Sequence, residues 1–255
     1  MIDLHTHLLP GIDDGPGSQR EAVELGRAAS AAGTRTAAAT PHIDYRYDVA
    51  PAQLGDRVRA LRTALRDAGV PLEVVAGGEL APERLGELTG EELAAIGLGG
   101  GPWILLECPL APGAGPLSPA VAHLQSLGFR VLLAHPERSP AVQRDRGELR
   151  RLVESGARCA LTASAFEGRF GRAAHRLAER LLHAGLGHVL TSDAHDERGR
   201  PPDLRPGLSA AIRGVDRGDL LARWLTEESP AAILAGGAVP APPTTGPARR
   251  RLRSG

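Results

Sequence analysis

The chain has 255 residues, 42% of them hydrophobic, enough for one sizeable core and a length at which α/β barrels form a single domain. Thirty basic residues balance 30 acidic ones, so no field over the whole surface favours nucleic acid or an anionic membrane, and any anion recognition must be local. Two cysteines, Cys108 and Cys159, are too few and too isolated for a disulfide framework or a four-cysteine zinc site, which fits a reducing cytoplasm.

Short apolar, β-prone runs alternate with longer stretches of helical spacing, the pattern of repeated βα units around a parallel sheet or barrel. The first strand is expected over Ile2–Leu4. His5 and His7 stand at i and i+2 at its end, where period 2 points both side chains the same way, and Asp13-Asp14 follow in the loop. A helix over Ser18–Ala32 opens with Ser18 and Glu21 at capping-box spacing. The second strand, Arg35–Ala39, runs into Thr40-Pro41-His42 and is followed by a helix over Ala52–Ala68. The third, Leu72–Ala76, runs into Gly77-Gly78-Glu79, and the fourth, Trp103–Leu106, into Glu107. After a helix over Ser118–Leu127 comes the fifth strand, Arg130–Ala134, with His135-Pro136-Glu137-Arg138 behind it. Helix Gly147–Glu154, strand Arg158–Thr162 and helix Arg172–Ala184 lead to the seventh strand, His188–Thr191, and to Ser192-Asp193-Ala194-His195. Several of these helices end at a Gly, as C-caps do.

From Gly236 the chain is rich in Gly, Pro and Ala and ends in Arg249-Arg250-Arg251-Leu252-Arg253. Such a segment buries too little apolar surface to offset its ordering entropy. The expected division is therefore a barrel over residues 1–235 and a disordered Pro/Arg-rich tail over 236–255, its arginines read as a solvated run. With no basic, apolar leader and no apolar run of the roughly 18 residues a spanning helix needs, neither a signal peptide nor membrane insertion is expected. Every basic residue is Arg and none is Lys, which reads as genomic compositional bias.

One His after one strand is an ordinary loop residue. Six of seven strands followed by His, Asp or Glu are another matter, because buried ionisable groups are costly unless paired or metal-bound. In a parallel barrel the loops after the strands converge on one face, so these residues meet in space.

The segments His5-Thr6-His7-Leu8-Leu9-Pro10-Gly11-Ile12-Asp13-Asp14-Gly15, Thr40-Pro41-His42, Gly78-Glu79, His135-Pro136-Glu137-Arg138 and Ser192-Asp193-Ala194-His195 closely resemble the polymerase and histidinol phosphatase (PHP) superfamily. Within it they are most similar to the bacterial tyrosine-protein phosphatases of capsule and exopolysaccharide operons. The resemblance runs from Met1 to about Ala235 and includes Leu161-Thr162-Ala163-Ser164, Gly168-Arg169-Phe170-Gly171 and Gly199-Arg200-Pro201-Pro202. It implies a distorted (β/α)7 barrel, in agreement with the seven strands counted. It also implies a three-metal site: His5, His7, Glu79 and Asp193 at one metal, Glu79 bridging to a second completed by Glu107 and His135, and Asp14, His42 and His195 at the third. Imidazoles with carboxylates suit Mn, Fe or Zn better than Ca, and the resemblance points to Mn²⁺. Arg138 and Arg200 are the expected phosphate-binding residues, since the guanidinium fork matches phosphate. Asp13, adjacent to Asp14, is read as orienting a ligand.

The resemblance thus implies a metal-dependent phosphomonoester hydrolase acting on phosphotyrosine of a bacterial tyrosine kinase, on its tyrosine-rich tail, in capsular or exopolysaccharide synthesis. No nucleic-acid partner is expected, and no oligomeric state is assigned. One alternative is a small-molecule phosphatase such as histidinol phosphatase, against which Asp14 and Glu107 stand where other branches carry histidine. Another is a non-catalytic, nucleic-acid-associated barrel, against which the neutral charge and the complete ligand set both count. A cysteine phosphatase would need Arg six residues after its thiolate, where this chain has Ala114 and Ala165, so both cysteines are expected in the core. His123, His175, His183 and His188 are read as structural or exposed, and Gly97–Gly101, which lacks a Walker lysine, as a flexible connection near the site.

Overall fold

The computed structural model describes residues 1–244 and 246. Among these residues nine parallel strand segments make up seven staves: β1 (Ile2–Thr6), β2 (Thr36–Ala39), β3 (His42–Ile43), β4 (Glu73–Ala76), β5 (Glu79–Leu80), β6 (Trp103–Glu107), β7 (Arg130–Ala134), β8 (Arg158–Thr162) and β9 (Val189–Thr191). β1, β2 and β4 pair in one sheet; β3, β5, β6, β7, β8 and β9 pair in another. β2 and β3 are one stave interrupted at Pro41, which has no N–H to give the ladder, and β4 and β5 are one stave interrupted at Gly77-Gly78. Gly78 is required there, because a Cβ would lie 2.9 Å from Cβ of Ile96.

The ring closes between the last stave and the first. Asp193 N–H donates to the His5 carbonyl and His7 N–H to that of Ala194, with Thr6 and Ala194 bridged in parallel. Closure leaves a distorted seven-stranded α/β barrel in a single domain, as the strand count predicts.

Parallel staves covered by helices are buried on both faces and read as continuous apolar runs. The alternation is still visible in what each residue touches. Leu105, Leu132, Ala134, Ala160 and Val189 pack inside the barrel on Trp103 and Ile233, while Ile104, Leu106, Val131, Leu133 and Leu190 face the helices in the main core.

The predicted helices form at Gln19–Ala31, Leu54–Asp67, Ser118–Ser126, Arg146–Glu154 and Gly171–His183. Each is followed by a glycine of positive φ: Gly33, Gly69, Gly128, Gly156 and Gly185. Short helices at Gly90–Ala95, Pro140–Arg144, Ala163–Phe166, Arg205–Ala211, Gly218–Arg223 and Ser229–Leu234 lie in stretches where too few turns repeat for a period to show.

Three expectations need correction. The Ser18 hydroxyl accepts from Glu21 N–H, but the Glu21 carboxylate accepts from Gly17 instead of Ser18, so the capping box is half formed. Gly97–Gly101 is a packed turn, with Leu98 buried and Gly99 against Leu234, and it precedes β6, at the end of that strand away from Glu107. Beyond Ala235 the chain stays attached for several residues: Gly237 accepts from the Trp103 indole at 3.0 Å and Pro240 from that of Trp224 at 3.0 Å. The arginine run at 249–253 lies outside the described residues. Among those described, no helix is long and apolar enough to cross a membrane.

Candidate metal centre

Strand parity delivers most of the ligand set. In β6, Trp103 and Leu105 face the barrel interior, so Glu107 does too, while Cys108 falls on the helix-facing side. Glu107 is therefore the last residue of its strand and not a loop residue. Ala38 carries the same parity to His42 and Val75 to Glu79.

Three positions depart from regular strand backbone, Asp193 among them with a left-handed φ of 54°. The pairing of β1 with β2 shifts between Asp3 and Thr6, and there two consecutive residues face inward: Leu4 in the interior cluster and His5 in the site. His135 follows inward-facing Ala134 and would point outward. It takes a left-handed conformation, φ 36° and ψ 49°, and its ring reaches Glu79.

All nine predicted ligands meet at the carboxyl ends of the staves. His135 Nε2 is 2.8 Å from Glu79 Oε1. Glu79 Oε2 faces His5 Nε2 at 3.2 Å and His42 Nδ1 at 3.1 Å. His5 Nε2 is also 3.3 Å from Asp193 Oδ1 and 3.3 Å from His7 Nε2. Asp14 Oδ1 lies between His195 at 3.2 Å and His42 at 3.4 Å.

Among the described residues, four groups hold donor atoms within 4.8 Å of one another: His7, Asp14, His42 and His195; His5, His7 and Asp193; His5, Glu79 and His135; His42, Glu79 and Glu107. The grouping differs from the expected partition: His7 also stands with Asp14, Glu79 is outside the group of His5, His7 and Asp193, His135 stands with His5 and Glu79, and Glu107 stands with His42 and Glu79.

Side chains of this kind fit divalent cations, and unsatisfied atoms argue the same way. Glu79 Oε2, Asp193 Oδ1 and His42 Nδ1 are buried without a hydrogen-bond partner among the described residues, a cost that a shared cation removes. Burial and the neighbouring Glu79 push the Glu107 carboxyl up to about 7. Burial also opposes the charge on Glu79, yet the imidazoles around it, His5 first and then hydrogen-bonded His135 and nearby His42, hold it well below the usual carboxylate range.

Further carboxylates and carbonyls support this set. Asp13 Oδ2 sits 2.7 Å from His7 Nδ1, which leaves Nε2 to face the centre, and it also accepts from His42 N–H, as its predicted orienting role requires. His195 Nδ1 is likewise 3.0 Å from the Asp193 carbonyl. Two supports escape sequence reasoning. Buried Asp3 accepts from the N–H groups of His5 and Ser192, tying β1 to β9 just ahead of two ligands. Buried Glu137 accepts from Thr162 N–H at 2.9 Å, anchoring the His135 turn to β8. Their only signal in sequence is an acid beside a ligand at a strand end, which is also what a ligand looks like.

Arg138 and Arg200 both donate to Asp193 Oδ2, and Arg200 Nη1 is 2.8 Å from His195 Nε2, so both guanidiniums border the centre. The cysteines are elsewhere: both are buried, free and pushed upward by burial, Cys159 beyond the range of a reactive thiol. The double change Cys108→Ser, Cys159→Ser should leave kcat/KM within about twofold of the parent, provided circular dichroism shows an intact fold. A folded but inactive double variant would return the chemistry to a thiolate. His188, read as structural, is buried, and its Nδ1 accepts from Cys159 N–H.

A closed parallel α/β barrel with imidazoles and carboxylates gathered at its carboxyl end defines a class, the metal-dependent hydrolase barrels. Residues 1–234 match the family described as capsular polysaccharide synthesis, CpsB/CapC, and the chain belongs to that family. It is 33% identical over 204 residues to the tyrosine-protein phosphatase YwqE of Bacillus subtilis, covering 78% of this chain and 79% of the relative. A crystal structure from the pair YwqE of Bacillus subtilis and CpsB of Streptococcus pneumoniae, metal-dependent tyrosine phosphatases, matches with TM-score 0.83 and 29% identity over 98% of this chain and 100% of the other. Dihydropyrimidinase from Brevibacillus agri, at TM-score 0.58 and 13% identity over 94% of this chain and 72% of its own, shares the fold alone.

Proposed function

We propose that this chain is a metal-dependent protein-tyrosine phosphatase. His5, His7, Asp14, His42, Glu79, Glu107, His135, Asp193 and His195 hold two or three divalent cations, Mn²⁺ foremost with Fe or Zn able to replace it. Arg138 and Arg200 bind the phosphoryl oxygens. Its substrate is phosphotyrosine on a bacterial tyrosine kinase of capsular or exopolysaccharide export, on that kinase's tail, and it works in the cytoplasm. The observation that carries this reading is nine imidazole and carboxylate donors converging beside two guanidiniums, with no usable thiol in reach. Free, buried cysteines support the reducing compartment. The kinship with named tyrosine-protein phosphatases supports the substrate class.

When bound, divalent cations supply Lewis acidity and make water acidic enough to give hydroxide near neutral pH. The chain's own residues do the rest. Asp13 and the Asp193 carbonyl fix the tautomers of His7 and His195. Arg138 and Arg200, arriving from β7 and β9, hold the phosphoryl group from two directions and neutralise charge that builds on its oxygens. The donor set is mostly buried, whereas the Asp14 side chain is 40% exposed and marks the side open to a substrate.

Elemental analysis of the purified protein, followed by a panel of phosphotyrosine peptide, phosphoserine peptide, histidinol phosphate and a nucleic-acid 3′ end, tests the proposal. Stoichiometric metal, turnover confined to the phosphotyrosine peptide and loss of that turnover with a chelator are expected. Preference for histidinol phosphate would move the substrate to a small molecule, and full activity after complete metal removal would overturn the mechanism.

A further inference from the structure

The segment Gly168-Arg169-Phe170-Gly171 contributes no ligand to the centre. It is a pair of consecutive turns: Gly168 N–H donates to the Ala165 carbonyl at 3.0 Å, Arg169 N–H to Ser164 at 3.1 Å and Gly171 N–H to Gly168 at 3.0 Å. Gly168 and Gly171 take φ of 79° and 83°, which a side chain would resist. The two residues between these glycines reach in different directions, and each meets the support of a different arginine.

Phe170 is partly buried against the main core, and its ring lies under the Arg138 guanidinium, with Cζ 4.2 Å from the ring centroid. Stacking on an aromatic face fixes the guanidinium plane while leaving its in-plane N–H groups free to donate. Arg169 crosses to the loop that carries Arg200. Its Nη2 donates to the carbonyls of Arg198 at 3.1 Å and Gly199 at 3.3 Å. The amides of that loop are held by one carboxylate, Asp196, which accepts from Arg198, Gly199 and Arg200. With amides gathered by Asp196 and carbonyls held by Arg169, the backbone ahead of Arg200 is pinned on both sides.

We propose that Gly168–Gly171 is a bracket that sets both phosphate-binding arginines, Phe170 acting on Arg138 and Arg169 acting on Arg200. Both are positioning residues, and the proposal rests on reading Arg138 and Arg200 as phosphate ligands. A long side chain held in one pose loses less freedom when phosphate arrives, so the effect falls on kcat/KM and leaves the metals in place.

Double-mutant cycles on the metal-loaded full chain test it with a phosphotyrosine peptide. Phe170→Leu should lower kcat/KM by about tenfold at unchanged metal content, and Phe170→Tyr, which keeps the ring, should restore it. In an Arg138→Ala background Phe170→Leu should cost nothing more, while in an Arg200→Ala background it should keep its full effect. Arg169→Gln, a surface change that threatens folding less, should lower kcat/KM by about threefold to tenfold and show the opposite pattern, silent with Arg200→Ala and additive with Arg138→Ala. Equal losses in both backgrounds, or loss of metal with Phe170→Leu, would overturn the bracket while leaving the arginines as phosphate ligands. If Arg138→Ala and Arg200→Ala are themselves silent, the phosphate reading fails and the bracket falls with it.

Discussion

Replacing Glu79 with Gln is expected to lower kcat by about a thousandfold or more while the barrel stays folded. Glu79 is the carboxylate that most ligands share: His135 at 2.8 Å on one oxygen, His42 at 3.1 Å and His5 at 3.2 Å on the other. It belongs to two of the four donor groups found among the described residues, so on the proposed ligand set its charge would serve more than one cation. Gln is isosteric and keeps an acceptor for His135, which preserves packing, but it removes the negative charge that offsets cations in a buried site. Metal content should fall together with turnover, by loss of at least one equivalent. Elemental analysis and kcat on the same preparation decide the matter: full metal with near-normal turnover would mean that the centre is organised around some other residue.

The second large effect concerns phosphate recognition and separates charge from ligation. Arg138→Ala and Arg200→Ala should each lower kcat/KM by about two to three orders of magnitude, the scale of losing one donor, roughly 3–4 kcal/mol, to a developing oxyanion. Each guanidinium reaches Asp193 from a different stave, so deleting one leaves the other to neutralise that carboxylate. Metal content should therefore hold in the single variants. Lys at either position should rescue only in part, because an ammonium returns charge without the fork. Should metal leave with the arginine, the residue would be a support of Asp193 in place of a phosphate ligand.

Much of the fold was readable because a parallel stave in a covered barrel is an apolar run ending in a loop, and this chain repeats that phrase seven times. Alternation then carries the reading into the site: from Trp103 and Leu105 the inward direction of Glu107 follows by counting. What could not be read is where the backbone leaves the strand. The register shift near Asp3 and the left-handed His135 both reverse the parity a reader would assign, and nothing in the residue types announces either. The splitting of two staves at Pro41 and Gly77-Gly78 was equally invisible, although the residues that cause it are in plain view. Asp3 and Glu137 stayed hidden because a buried acid that holds a loop and one that holds a metal share one signature in sequence. Gly97–Gly101 misled for a simpler reason: glycine permits a tight, packed turn as readily as a loose one.

The closure of the ring also dictates an order of assembly. The bonds that join β9 to β1, including Ser192 to Asp3 across 189 residues, link the first stave to the last. Contacts of such sequence separation form late, since loop closure must be met before they contribute anything. During synthesis His5 and His7 emerge first and wait for almost the whole barrel before Asp193 and His195 arrive. On the proposed ligand set, cation capture by the complete centre is therefore tied to completion of the fold. A ribosome-bound chain stalled before Val189 should retain less metal than one stalled after Pro240, and equal retention would show that the early ligands suffice. On this account the centre does not fill until its two ends have met, and a half-made chain carries no competent active site.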